Sequence, residues 1–411
     1  MARIGIIGAG IIGSATATWL MSEGHEVTVF EADPDGLPAS SGNAALIAVS
    51  EITPLANLAN LSSVPRWLLD PLGPLALRWT DLPALTPWLL GFVRAALPAQ
   101  EAAGRKALAY LMKTAVADHL RLGAMAGIDG HLRLTGFLSL HDTQKGLRAG
   151  HKEGLLVKAT LGHDCERLSS ADVRKRVPQL EGNFAGAIFT PEYLMVTNPL
   201  DVLRRYQSHV RSRGRLVSAS AAAVLQTSDA VLIRTADGNH HPFDRIVVSA
   251  GIWSRDFARS LGVKVLLEAE RGYNTTYTDL PWNLSTPVGF ADHGFIASPL
   301  ADGFRVGGAV ELAKPDTPPN YARAREMRAK LRRYIPGLPE GGVEWMGRRP
   351  STPDSLPVIS RHPHDKRIVF AFGHGHLGLT QSAVTARHVA TLIAESQPMP
   401  ELNPFDVRRF N

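Results

Sequence analysis

Three glycines and one acid carry the clearest chemistry in this chain. Gly8, Gly10 and Gly13 stand in the spacing G-x-G-x-x-G, and Glu31 follows. Each part suits a dinucleotide. Gly8 makes a tight turn, Gly10 lets backbone approach a pyrophosphate, and Gly13 lets a helix sit close on a strand. The helix start at Ile11, Ile12 and Gly13 supplies free N–H groups and a positive dipole end. Glu31 is placed to bind both hydroxyls of a ribose. An acid there disfavours a 2′-phosphate, so NAD or FAD is expected rather than NADP. Ser40-Ser41-Gly42-Asn43 adds small and hydroxyl residues that suit phosphate oxygens or a helix cap. Near the other end, Gly373-His374-Gly375-His376-Leu377-Gly378 is a second glycine-rich turn from strand to helix, aiming N–H groups at whatever sits above it. His374 and His376 would need a third ligand to hold a metal, and no metal is expected. No Ser/His/Asp or paired-carboxylate constellation is evident.

The elements that must position these residues are legible around them. Arg3 to Ile7 reads as a short buried strand. The glycines open an apolar helix to about Ser22, Gly24 ends it, and Glu26 to Phe30 alternates as a strand delivering Glu31. Asp244 to Val248 is another buried strand, followed by Ser249-Ala250-Gly251, with Ile252-Trp253-Ser254 opening a helix. A second glycine-ended turn so far along the chain implies a sheet assembled from distant segments. In between, helices are expected over 101–127, 142–161, 169–177 (capped by Ser170) and 198–213. Strands are expected over 135–141, 187–189, 193–196, 216–219, 222–226 and 230–235, with a hairpin at Asp237-Gly238. Residues 264–278 and 290–309 read as antiparallel strands, and 321–334 as a helix whose basic face is solvated. Strand 368–372 and a helix to about Glu395 close the pattern.

Composition narrows the classes. At 411 residues the chain has room for two domains, and 45% hydrophobic with 20% charged residues is ordinary for a globular protein. The net charge of +6 is spread out and gives no nucleic-acid footprint. One cysteine, Cys165, excludes a disulfide framework, a CxxC redox pair and an iron–sulfur cluster held by this chain alone. The apolar start is broken by glycines and leads into a strand, so it does not read as a signal peptide. No run of about 18 apolar residues exists, so no transmembrane helix is expected. The stretch 65–98, rich in Leu, Pro and Trp and broken by prolines and charges, reads as short surface helices and turns that could touch a membrane.

Four segments together carry a resemblance. They are Gly8-x-Gly10-x-x-Gly13 with Glu31; Ser40-Ser41-Gly42-Asn43; Val248 to Ser254; and Arg349-Pro350…Pro353-Asp354 with Gly373 to Gly378. The chain resembles the D-amino-acid oxidase and glycine oxidase superfamily of FAD enzymes over nearly its whole length. It is most similar to bacterial D-amino-acid dehydrogenases, including the hydroxyproline-specific branch, which 71–75 and 87–90 also resemble. The resemblance implies an α/β fold: a Rossmann-type FAD-binding domain (1–64, 195–268 and 345–411) with an inserted antiparallel-sheet, α+β substrate domain (65–194 and 269–344). It implies non-covalent FAD. Gly8, Gly10, Gly13, Ala250 and Gly251 would lie at the pyrophosphate, Glu31 at the ribose and Val224 near the adenine. Ser40, Ser41 and Asn43 would lie near pyrophosphate and flavin, and Gly375, His376, Leu377, Gly378, Leu379 and Thr380 beside the isoalloxazine.

The implied reaction is oxidative deamination of a D-amino acid, D-proline and hydroxy-D-proline among the candidates. Hydride passes from the α-carbon to flavin N5, the imino acid hydrolyses to a keto acid and ammonia, and the electrons go to a quinone or dye. Arg349 would hold the substrate carboxylate bidentately, with Arg348 as its alternative. Tyr273 or Tyr277 could add a hydroxyl, and His376 completes the catalytic candidates. His293 and Tyr193 are weaker lining candidates. Two rivals share the fold: an O2-using D-amino-acid oxidase and a secondary-amine oxidase of sarcosine or glycine type. A third, a non-catalytic FAD-binding electron-transfer subunit, predicts flavin that no amine bleaches. The expected partners are an amino-acid substrate and an electron acceptor, with a peripheral membrane contact and a hetero-oligomeric assembly also entertained. The expected setting is cytoplasmic, peripheral on the inner membrane if that contact forms.

Overall fold

The computed structural model describes residues 1–69, 75–394 and 399–410, with backbone alone at 65–69. Residues 71–74 of the family-like stretch, and the expected helix end at Glu395, lie outside the described residues.

Arg3–Ile7 is buried along nearly its whole length, as a central parallel strand must be. Glu26–Glu31 pairs parallel on one side and Arg245–Val248 on the other, so that Ile6 faces both Val29 and Val247. Arg215–Ser218 extends one edge. Ile368–Phe372 extends the other, and Val358–Arg361 closes it antiparallel. This six-stranded sheet draws on the start, middle and end of the chain, as the second glycine-ended turn implied. Helix Ile11–Ser22 lies across it and packs on the C-terminal helix Gly378–Ala394, with the small residues Ala15 and Ala17 buried along it. Trp19 and Phe30 are fully buried, each contributing about 2–3 kcal/mol of apolar transfer.

A second, nine-stranded sheet is mostly antiparallel. Its order is Val343–Ser351, Glu268–Tyr277, Gly303–Leu312, Phe295–Leu300, Val288–Phe290, Phe137–His141, Gly186–Thr190, Glu166–Ser169, with Leu75–Leu77 added beside Gly303–Leu312. The seams expected at 268/269 and 344/345 fall at these paired strands. Glu268 opens one, and residues 345–351 hydrogen-bond within the large sheet. Two three-stranded sheets complete the set: the meander Ala221–Gln226, Val231–Thr235, His240–Phe243, and Leu46–Ile47 with Leu194–Val196 and Leu132–Leu134.

Local chemistry sets several ends. Asn198 caps Pro199–Arg213, its Oδ1 accepting from the N–H of Leu200 at 2.9 Å. Gly127, at φ +65°, ends the long helix Pro98–Ala126. Ser169, not Ser170, caps Ser170–Arg176, because its hydroxyl reaches the Asp172 N–H. The basic face of Ala322–Leu331 is not simply solvated. Arg323 and Arg328 are buried, and Arg325 and Arg328 both pair with Glu344 on the neighbouring strand. No single described helix is long and apolar enough to cross a membrane, and the segments Trp79–Ala95 and Pro98–Ala126 meet at 89°.

Candidate active site

At the nucleotide end, the turn after Arg3–Ile7 tolerates only glycine where it bends. Gly8 has φ +99°, and a Cβ there would fall 2.6 Å from the Ser249 carbonyl oxygen. A Cβ on Gly13 would fall 1.9 Å from the Gly8 oxygen, which is the close helix–strand approach the spacing predicts. At Gly10 an added Cβ would meet nothing within 4 Å, and Gly10 caps Ile11–Ser22 without a side-chain bond. Space is thus open beside the start of that helix, whose first N–H groups have no partner within it, a cradle suited to an anionic pyrophosphate. Glu31 stands beside it, Oε2 accepting from the Ala9 N–H at 2.7 Å. Gln207 donates to the Ala9 carbonyl at 2.9 Å from the other side. Parallel pairing of Arg245–Val248 brings Ala250 and Gly251 alongside Gly8; Gly251 has φ +57° and open space around it. Val224 is buried with Ile7 and Phe30 in one apolar cluster.

The Ser40–Asn43 loop is held by its carbonyls. Arg305 donates to Ser41 O at 3.1 Å and Asn43 O at 2.8 Å, and Asn274 donates to Gly42 O at 2.7 Å. Burial lowers the Arg305 pKa to about 10, so it stays charged at neutral pH. Asn43 closes the turn on Ser40 O and accepts from Ala45 N–H. The Ser41 hydroxyl is buried without a hydrogen-bond partner, the kind of group a bound ligand satisfies.

The C-terminal turn follows the same logic. Gly373 (φ +83°) and Gly375 (φ +53°) bend the chain out of Ile368–Phe372, and Gly375–Leu377 leads directly into Gly378–Ala394. Thr380 ties it to the strand Leu46–Ile47: its Oγ1 accepts from Ala48 N–H at 2.9 Å and donates to Leu46 O at 3.3 Å. Leu379 is buried, and its carbonyl, with that of Thr380, meets His119 Nε2 at 3.0 Å. His374 is buried against Thr385, 2.9 Å from Nε2 to Oγ1, and burial lowers its pKa to about 3. His376 is exposed. No group of three or more His, Cys, Asp or Glu arranged for a metal occurs among the described residues.

A cavity opens beside this turn. Leu55, Trp88 and Phe92 form an apolar wall, and Glu270, Ser351, Thr352, Ser355 and Gly373–Leu377 form the rest. Trp88 and Phe92 stack at 5.5 Å, and Trp88 Nε1 donates to Ser351 O at 2.9 Å. Arg349 reaches this place through Glu270, Nη1 to Oε1 at 2.9 Å.

Strand alternation separates the expected substrate residues. On Glu268–Tyr277 and Val343–Ser351, one face carries Glu270, Asn274, Trp345 and Arg349. A Cβ on Gly272 would fall 2.2 Å from Arg349 Nη2, so the guanidinium lies over that glycine. The other face carries Arg271, Tyr273 and Arg348. There Arg348 donates to Pro315 O at 2.6 Å, and Tyr273 bonds Glu311 and accepts from Asn320 N–H. Tyr277 packs near Phe304 in the same cluster as Tyr273. Arg349 thus shares the cavity face and Arg348 does not, while Tyr273 and Tyr277 point away from it. Burial pushes the Tyr273 hydroxyl up to about 12. Tyr193 stacks on Phe137, and His293 pairs with Asp142 and Tyr334; both are built into packing.

Glu270, Arg305, Gln207 and Trp88 were not singled out by spacing. For the first three the only signal is alternation along strands or helices, which marks a face but not what stands opposite, while Trp88 lies in the 87–90 stretch that carries part of the resemblance.

The fit to FAD is carried by the open cradle at Gly10, the unsatisfied Ser41 hydroxyl and the second glycine turn. The family model for FAD dependent oxidoreductases matches residues 3–392. A D-amino-acid oxidase of Bradyrhizobium diazoefficiens is 31% identical over 419 aligned positions, covering 99% of each chain. A D-amino acid dehydrogenase of Paramagnetospirillum magneticum is 29% identical, again over 99% of each. Among solved structures, glycine oxidase from Geobacillus kaustophilus superposes with a TM-score of 0.74 at 20% identity, covering 99% of each chain. The protein belongs to the family of FAD dependent oxidoreductases.

Proposed function

We propose that this chain oxidises D-amino acids, using the cavity between Glu270, with Arg349 behind it, and the Gly373–Leu377 turn as its substrate site. One observation carries the reading: Arg349 is the arginine of the Arg348-Arg349 pair that shares a sheet face with Glu270 and the cavity, whereas Arg348 is spent on Pro315. Relatives named D-amino-acid oxidase and D-amino acid dehydrogenase, similar over 99% of the chain, support the substrate class. FAD, when bound, supplies the two-electron acceptor. Gly8, Gly10, Gly13, Glu31, Ser41 and Gly251 would hold its adenosine and pyrophosphate end, and Gly375–Thr380 its ring end. The guanidinium of Arg349 fixes the substrate carboxylate. The N–H groups at Gly375–Leu377, and the positive end of Gly378–Ala394, favour negative charge beside them. Trp88, Phe92 and Leu55 offer an apolar wall to an uncharged side chain, a proline ring included. Attachment of FAD is non-covalent in this reading, since Cys165 packs at Gly154, outside the cavity lining.

The finer reading is a dehydrogenase that passes electrons to a quinone at a membrane surface. Leu90 (66% exposed), Val93 and Leu97 lie on neighbouring turns with Arg94 among them, and Trp79 (69%) beside Arg78 is exposed at the start of the same segment.

The test is anaerobic flavin bleaching against paired D- and L-amino acids, proline and hydroxyproline included. D-Enantiomers should bleach. Arg349→Ala should abolish bleaching at millimolar substrate while FAD stays bound. A variant of undiminished activity refutes the carboxylate assignment, and a wild-type flavin that no D-amino acid bleaches refutes the function.

A further inference from the structure

We propose that Glu270 recognises the substrate's ammonium group, so that the Arg349–Glu270 pair admits zwitterionic amino acids and rejects simple carboxylates. This rests on the function proposed above. Glu270 is only 4% exposed, yet it lines the cavity. Its Oε1 takes a hydrogen bond from Arg349 Nη1 at 2.9 Å, and Oε2 takes one from the Ser351 hydroxyl at 2.9 Å. Each carboxylate oxygen has two acceptor sites, so each keeps one beyond the bond it already makes. Burial raises its pKa, but Arg349, His376 and the Ser351 hydroxyl outweigh that, and the net shift is downward. The group is therefore ionised at neutral pH.

The charge balance follows. Before substrate arrives, Arg349 and Glu270 cancel. A ligand bearing only a carboxylate would place two anions on one guanidinium in a largely buried place, with no new cation to offset them. A zwitterion brings its own cation. Its carboxylate takes free N–H groups of Arg349 and its ammonium takes the unused acceptor sites of Glu270. If Glu270 instead served only to hold Arg349 in place, it would matter equally to both ligand types.

The experiment measures ligand binding to the FAD-loaded enzyme by anaerobic flavin absorbance. It compares cyclopentanecarboxylate, which lacks the amine nitrogen and is read from the flavin absorbance shift, with D-proline, whose Kd is read from how the bleaching rate saturates with concentration. Wild type should bind the carboxylate at least about tenfold more weakly, the scale of one charge-assisted bond. Equal affinities in wild type overturn the proposal without any variant. In Glu270→Gln the carboxylate should bind about tenfold more tightly and D-proline about tenfold more weakly. Parallel weakening of both ligands would mean that Glu270 only positions Arg349, and overturns the proposal. Glu270→Asp keeps the charge and should keep the wild-type preference even if Glu270→Gln loads FAD poorly; loss of that preference in Glu270→Asp counts against it. Bleaching by D-amino acids in wild type separates the two levels. If it is absent, the function fails and takes this inference with it. If it is present while both ligands shift in parallel, only the role of Glu270 fails.

Discussion

At the scale of single residues, the proposed nucleotide site gives the one carboxylate of Glu31 two jobs. Oε2 accepts the Ala9 N–H, which holds the turn that Gly8 bends, and the half-buried carboxylate remains beside the cradle for a ribose. Glu31→Ala removes both. FAD affinity of the apoprotein should fall about tenfold or more, as expected for a hydrogen bond to a charged group, and fluorescence quenching of FAD on titration reads it. An unchanged affinity would remove Glu31 from the site. The same scale separates the two arginines. In sequence Arg348 and Arg349 differ by one position. That one position is the whole of the period-2 alternation, so one faces Pro315 and the other the cavity. Spacing marked the pair, and only pairing with Glu268–Tyr277 showed which member faces the site.

At the scale of elements, the C-terminal helix Gly378–Ala394 carries a pH dependence. His374, just before it, and His388, within it, are both buried, and burial lowers each to a pKa of about 3. In the unfolded chain a histidine titrates near 6.5. The stability these neutral imidazoles contribute is present above about pH 6.5 and is lost as pH falls toward 3, because the unfolded state then binds protons the folded state refuses. The slope is about 1.4 kcal/mol per pH unit for each histidine. Denaturation at pH 7.5 and pH 5 should show wild type losing stability in acid. His388→Leu should lose less, since the His388 ring nitrogens have no partners to forfeit and the ring stacks on Tyr110. An equal loss in both proteins would exclude His388 as a source. Elements were the most legible level in the sequence. The strand Arg3–Ile7, the helix Ile11–Ser22 and the cap at Asn198 fall where composition and capping chemistry put them. The basic helix did not behave as its surface composition suggested, because Glu344 on the strand that follows it turns back to pair with Arg325 and Arg328.

At the scale of the whole molecule, the exposed Leu90, Val93 and Leu97 approach the 89° bend between Trp79–Ala95 and Pro98–Ala126, with the exposed Trp79 at the far end of the first segment. If this group meets a membrane, the enzyme should float with anionic vesicles containing a quinone. It should also reduce that quinone on addition of a D-amino acid, without stoichiometric peroxide. Trp79→Ser with Leu90→Ser should weaken flotation several-fold. Failure of wild type to float, or peroxide equal to substrate consumed, would count against the membrane and quinone reading. By itself the sequence determined the local devices: two glycine turns, the acid that follows the first, the helix start at Asn198, and a buried central strand. These depend on backbone conformation and short-range alternation, which neighbours in sequence dictate. The tertiary structure alone decided what those devices face. Parallel pairing set Ala250 and Gly251 beside Gly8. Antiparallel pairing put Arg349 beside Glu270 and turned Tyr273 and Tyr277 away from the cavity. Arg305 reached back across the large sheet to hold the Ser40–Asn43 loop. Such contacts join residues 79 to 264 positions apart, and their register follows from packing the whole core, which no short stretch of sequence contains.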